Sequence, residues 1–337
     1  MNKLAFAIGG ALRTQAMIDI QNADKAFDAL VIDNESGDIV NNNGTTKYQD
    51  FKTIIEDVLR VRRRSLNGID DLIGAGLVQN GDISQTLFGY EVLSESDDAK
   101  TDMNPTSYGN DNTEFSEAFA PVPIIHKTYS VPFRQGSFDY KNSMGRDESV
   151  RKVGEAAENL LFNGSDIQVN FNGTLVPSYG YLNHPQRGQA TISDWTDLAT
   201  NGSKIVGEVL AMISKIWTDN GGVMNDSLVL YVSNDFWINM EADYSDAKGD
   251  RTFKERIMAI AQIKDVKPSE SLPAKTVCMV EMERRTIELV VEQDMITVPH
   301  LRNGALDPSV WTTFMAVAPL IKVDAKGQVG FVVGTQA

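Results

Sequence analysis

At 337 residues the chain is long enough for one large or two ordinary domains, each burying a real core. Its 42% hydrophobic and 23% charged residues are ordinary globular usage and exclude a disordered or fibrous chain. A net charge of −15 argues against a protein that grips nucleic acid over much of its surface, because phosphate contacts need clustered Lys and Arg.

The N-terminal Met1–Arg13 superficially resembles a secretory signal, but Gly9 and Gly10 interrupt its apolar run and no small-residue cleavage site follows. No other stretch approaches the apolar length that crosses a bilayer, so no membrane partner is expected. Asn-x-Ser/Thr triplets such as Asn172-Gly173-Thr174 are then chance matches in an Asn-rich chain. Residues 1–50 are poor in regular pattern and end in the turn-rich Asp38–Thr45, which reads as an arm with little core of its own. From Tyr48 to Arg64 the spacing of Phe51, Ile54, Ile55, Val58 and Leu59 predicts a helix that runs into Arg60, Arg62, Arg63 and Arg64. Residues 51–86 are this helix and the loop after it, in which Gly74-Ala75-Gly76 lacks the third glycine and the strand of a dinucleotide loop.

Residues 87–133 read as a long two-stranded excursion, with a strand from Leu87 to Val92 and a second extended run from Ile124 to Phe133. Between Glu91 and Glu117 its carboxylates are Glu91, Glu95, Asp97, Asp98, Asp102, Asp111, Glu114 and Glu117, with Lys100 the one base. Such a segment has no apolar face large enough to fold back on a core, and is expected to project toward another chain.

The best helix runs from about Arg146 to Phe162, within 134–180. Asp147 and Glu148 suit its first turn, Val150, Val153, Ala157, Leu160 and Leu161 form its apolar stripe, and Asn163-Gly164 stops it. A second helix, Ser203 to Trp217, turns Ile205, Val206, Val209, Leu210, Ile213 and Ile216 inward. Within 181–305 there follow a strand (Ser227–Val232), two helices (Asp235–Ala242 and Phe253–Ala261) and strands at Thr276–Met282, Thr286–Glu292 and Met295–Val298. Residues 306–337 add extended runs at Thr312–Val323 and Gln328–Val333. The fold class is α+β, with antiparallel pairing favoured by the short connections. The lone Cys278, inside the apolar Thr276–Val280, excludes an intrachain disulfide and reads as a buried small hydrophobe.

This order of parts resembles the HK97-fold major capsid proteins of tailed phages and the related encapsulins. Val131-Pro132-Phe133 leading to Asp147–Gly164 is similar to the stretch in which a strand returns from the extended loop and feeds the spine helix. Tyr179–Pro185 looks like the glycine-containing turn after it, and Leu228–Phe236, Ile263–Ser269 and Leu272-Pro273 resemble the series of the compact domain. The resemblance implies an N-terminal arm (1–50), an extended two-stranded E-loop (87–133), a long spine helix in a P-domain (134–180) and a compact A-domain (181–305), closed by C-terminal strands (306–337). It implies a structural protein without enzymatic activity or cofactor, assembled with itself into pentamers and hexamers of an icosahedral head around double-stranded DNA held without sequence-specific contact. Scaffolding, decoration and portal proteins are the further partners, and the location is the virion, with the host cytoplasm during assembly. An encapsulin shell holding a cargo enzyme and a soluble metabolic enzyme are the alternatives.

Chemistry-bearing patterns are sparse. His126, His184 and His300 are far apart in sequence and predict no zinc site, His184 reading as a turn residue. No Gly-x-Ser-x-Gly elbow or Walker loop occurs. Paired carboxylates such as Asp70-Asp71 and Asp97-Asp98 are expected to be solvated. The run Arg62, Arg63, Arg64 fits three roles: pairing with the carboxylates of a neighbouring subunit's loop (Glu95, Asp97, Asp98, Asp102), contact with packaged DNA, or a solvated helix end. Pairing between subunits is favoured over DNA. Some relatives weld subunits by a Lys–Asn isopeptide bond, for which Lys100 would be the donor here.

Overall fold

The computed structural model describes residues 30–32, 39–41, 65–96, 101, 103, 114–132, 138–168, 175–219, 227–243, 251–301 and 307–336. The chain divides into two units, residues 1–62 and 63–337. In the first, strands β1 (Leu30–Ile32) and β2 (Ile39–Asn41) pair antiparallel. The rest of the expected arm and the helix expected up to Arg64 lie outside the described residues.

The second unit opens with α1 (Asn67–Gly74), β3 (Val78–Asn80), β4 (Leu87–Leu93), β5 (Phe115–Pro121), β6 (Ile124–Val131) and the 26-residue helix α2 (Phe138–Asn163). The hairpin β7 (Ser165–Gln168) and β8 (Leu175–Ser178), strand β9 (Gly188–Ile192) and helix α3 (Leu198–Asp219) follow. The rest is β10 (Leu228–Ser233), α4 (Asn234–Met240), α5 (Phe253–Met258), β11 (Ile263–Ser269), β12 (Thr276–Glu281), β13 (Ile287–Pro299), β14 (Ser309–Ile321) and β15 (Phe331–Gln336).

A five-stranded sheet in the order β11-β10-β12-β15-β9 forms one centre. Strand β10 is apolar throughout because both its faces are covered. Leu228, Leu230 and Val232 face the helices α3, α4 and α5, packing with Ile205, Val209, Phe236 and Phe253. Val229 and Tyr231 face the opposite way, onto Leu161 and Phe162 of α2. A four-stranded sheet in the order β3-β13-β14-β6 forms the second centre, with α2 lying against β6 and β14.

The end of α2 shows how the sequence stops a helix. Gly164 sits at φ +64°, where a Cβ would meet the Ser178 carbonyl oxygen at 2.4 Å, so only glycine fits. The helix's last carbonyls accept from the turn that follows, Leu161 from the Tyr181 N–H (3.1 Å) and Phe162 from the Leu182 N–H (2.8 Å).

Several expectations are corrected. Antiparallel pairing prevails among the described strands, as expected, but three pairings are parallel, β10 with β11, β15 with β9 and β13 with β3, because helices and long loops separate those strands and permit crossovers. The two strands expected over 286–298 are one strand, β13, with register shifts between Val291 and Ile296. The run Ile124–Val131 is a strand, but it pairs with β14; the strand returning alongside β4 is β5. In α2, Val150 is exposed and Glu158 is buried, the reverse of the expected stripe, and in α3 Leu210 points to solvent.

Candidate functional site

Strands β4 and β5 form a separate two-stranded ribbon in exact antiparallel register, Leu87 opposite Pro121 and Leu93 opposite Phe115. A lone two-stranded ribbon is marginal in water, and this one is anchored at its base. Side chains alternate across it, so Phe88, Tyr90 and Ala120 share one face and pack on Val122, Val290, Ala316, Ala318 and Leu320. The Tyr90 hydroxyl accepts the Val323 N–H at 2.9 Å. The expectation that the excursion has no apolar face to fold back is therefore corrected for its base, where the buried side is built from small residues and two aromatics.

The opposite face carries the larger surprise. Its rungs are Leu93–Phe115, Glu91–Glu117, Gly89–Phe119 and Leu87–Pro121. Phe115 is 69% exposed, Phe119 60% and Leu93 52%, and both glutamates are exposed. Phe119 lies over Gly89, where a Cβ would come within 2.7 Å of the ring. Two carboxylates stand directly opposite each other on a face that is otherwise apolar.

Beneath the inner face lies a cleft of about 370 Å³, bounded by Tyr90, Ser116, Tyr179, His184, Val323 and Asp324. His184 is no simple turn residue. It is buried, edge-on to Tyr179 and Phe331, and its Nδ1 accepts the Gln186 N–H at 3.2 Å. Burial, with the Arg187 charge adding, lowers its pKa to about 4, so the ring is neutral at pH 7.

A buried polar cluster joins α1 to α2. Glu158, 2% exposed, accepts the Gly68 N–H at 2.9 Å on Oε1 and the Ile69 N–H at 3.0 Å on Oε2. It thereby caps α1, whose own N-cap, Leu66, has no oxygen to offer. Burial pushes the Glu158 carboxyl up to about 7, against the pull of the two N–H groups, with the Asp70 and Asp71 charges adding to the rise. Asp71 itself pairs with Lys267 and accepts the Tyr231 hydroxyl at 2.8 Å, so it is not the solvated carboxylate expected. Both oxygens of Glu158 accept from backbone donors, which suits a cap. Cys278 is buried in β12, and burial pushes its thiol up.

Of the residues assigned to contacts between subunits, Glu95 alone is described. It is exposed at the ribbon's outer end and pairs with Lys326 of its own chain at 2.5 Å. Arg62, Arg63, Arg64, Asp97, Asp98, Lys100 and Asp102 lie outside the described residues. Among the described residues no group of three His, Cys, Asp or Glu side chains converges to hold a metal ion, and no helix is long and apolar enough to cross a membrane. The Glu91–Glu117 rung and its aromatic neighbours were missed, although the order Phe-Ser-Glu-Ala-Phe-Ala-Pro alternates and so signals a strand.

A family model described as a family of unknown function, DUF6260, matches residues 13–334. No curated protein matches by sequence. Solved structures match over most of the chain. The capsid of Myoviridae phage XM1 is 11% identical, with 87% of this chain and 99% of that chain covered at a TM-score of 0.69. The capsid of a native GTA particle is 10% identical, with 83% and 93% covered at 0.61. A virus-like particle from Pyrococcus furiosus is 13% identical, with 80% and 96% covered at 0.50. The fold is that of HK97-like capsid subunits.

Proposed function

This chain belongs to the DUF6260 family, and from its fold we propose that it is a major capsid protein, a structural subunit that self-assembles into the pentamers and hexamers of an icosahedral phage head around double-stranded DNA. The observation that carries the reading is the pairing of a capsid-type fold over 87% of the chain with an exposed aromatic and acidic ribbon that its own subunit leaves uncovered. Surfaces of that kind mark contact sites, and repeated contacts between identical copies close into rings.

On this reading residues 1–50 are the arm, 51–86 lead into the P-domain, 87–133 are the E-loop, 134–180 carry the spine helix, 181–305 are the A-domain and 306–337 close the subunit. The chain works by assembly, without catalysis or cofactor. The run Arg62–Arg64 and the carboxylates Glu95, Asp97, Asp98 and Asp102 act between subunits, with Lys100 beside them. Scaffolding, decoration and portal proteins complete the particle, and the DNA lines its inner surface without sequence-specific contact. The location is the virion, and assembly takes place in the host cytoplasm.

Electron microscopy of particles from cells expressing the chain tests this. Large shells with pentameric and hexameric rings are expected. Small shells filled with protein would point instead to an encapsulin with a cargo enzyme, and a monodisperse small oligomer would sink both readings in favour of a soluble enzyme.

A further inference from the structure

The outward face of the ribbon is chemically odd for a free surface. Like charges placed directly opposite each other on an antiparallel pair destabilise it, yet Glu91 and Glu117 occupy one rung. Aromatic residues belong on a strand's buried side, yet β5 puts Ser116, Ala118 and Ala120 inward and Phe115 and Phe119 outward. One occupant relieves both features: a cation with a flat, weakly hydrated face that bonds two carboxylates and stacks on rings. That is a guanidinium, which offers a planar fork of N–H donors and packs over aromatic faces; a lysine ammonium offers only a point charge.

The chain supplies such groups in one place as a run. Arg62, Arg63 and Arg64 are its only three adjacent cations. Three of the described arginines are engaged by carboxylates of their own subunit, Arg151 by Glu148 and Glu155, Arg284 by Glu288, and Arg285 by Glu281 and Glu283. Glu95, at the outer end of the ribbon, is engaged by Lys326. Glu91 and Glu117 are therefore better placed than Glu95 to receive charge from outside. Resting on the assembly reading above, we infer that the outward face of the ribbon receives the Arg62–Arg64 run of a second copy, with the guanidinium groups on the Glu91–Glu117 rung and between the rings of Phe115 and Phe119.

The test uses the full chain with Glu91→Gln and Glu117→Gln together, followed by light scattering during assembly and by imaging. The thermal midpoint of dilute subunits should hold or rise, since a repulsion inside the subunit is removed. Assembly at low salt should slow by about tenfold or more, and that direction is diagnostic. Removing two negative charges from every copy of an acidic subunit would speed assembly if general repulsion were the only electrostatic effect. Assembly that is unchanged or faster overturns the inference while leaving the capsid reading intact; a wild-type chain that never assembles overturns both. A second arm identifies the donor. Glu91→Arg and Glu117→Arg should block assembly, and adding Arg62→Glu, Arg63→Glu and Arg64→Glu to the same chain should restore it. Failure of the swap to restore assembly, with the separate changes blocking it, excludes this run as the occupant.

Discussion

Replacing Glu158 by Gln isolates the energetic role of the buried cap. At pH 5 the native carboxyl, with its pKa near 7, is protonated, and the amide then has nearly the same shape but turns an NH2 donor toward one of the two backbone N–H groups that the carboxyl oxygens face. The variant should be less stable there by about 1–3 kcal/mol, the cost of a buried donor left without an acceptor. Above pH 4.5 the carboxyl ionises in the unfolded chain but not in the folded one. The folded pKa is raised, so this group's contribution is fully present below 4.5 and is lost as pH rises to about 7. The loss runs at about 1.4 kcal/mol per pH unit and totals about 3 kcal/mol, after which it is flat. The Gln variant has no such slope, so the wild type's advantage over it should shrink by about 3 kcal/mol between about pH 4.5 and 8. Urea unfolding of dilute subunits at half-unit steps from pH 3.5 to 8.5 measures the difference, and taking the difference cancels the other titrating groups. If the wild type instead gains on the variant as pH rises through 4 to 5, the two N–H bonds outweigh the desolvation, the ion is the native species, and the reasoning fails.

Two further substitutions probe α2. Leu160→Ala, on the buried side of the helix, should cost about 2–5 kcal/mol by cavity formation, while Val150→Ala, on the exposed side, should stay within about 0.5 kcal/mol; chemical unfolding of both variants checks the face assignment, and equal losses would refute it. Gly164→Ala meets both a left-handed backbone and the Ser178 carbonyl, and should cost about 2–5 kcal/mol from conformational strain and overpacking together, read as a lowered thermal midpoint.

How much of this was legible in the sequence depends on where each signal is stored. The C-terminal end of α2 and most of the inward face of α3 were readable because they are local: a glycine stop, and apolar residues at helical spacing that bury Ile205, Val206, Val209, Ile213 and Ile216. Helix α1 was missed because its cap comes from a residue 90 positions away, and Leu66 gives no capping signature. The first turns of α2 were missed because Asp139, Lys141, Asn142 and Ser143 show no apolar stripe in the sequence. Strand β11 carries Lys264, Asp265, Lys267 and Pro268, which an edge strand tolerates and a propensity reading rejects.

The ribbon was half legible for a different reason. Its acidity could be counted, and the need for a partner followed from the count, but the register could not be read from composition. Placing Glu91 opposite Glu117, and both between exposed rings, depends on β5 rather than β6 being the return strand. A one-residue slip in that pairing would have sent Phe115 and Phe119 to the inner face and the small residues outward. Such a slip would also pull Tyr90 and Phe88 out of step with the small residues opposite them, while these two rings pack against Ala316, Ala318 and Leu320. The packing of the base therefore fixes the register, and the register forces the aromatic and acidic side chains outward together. A surface so determined is a consequence of how the subunit's own core is built, and any partner that covers it must match a spacing set from inside the subunit.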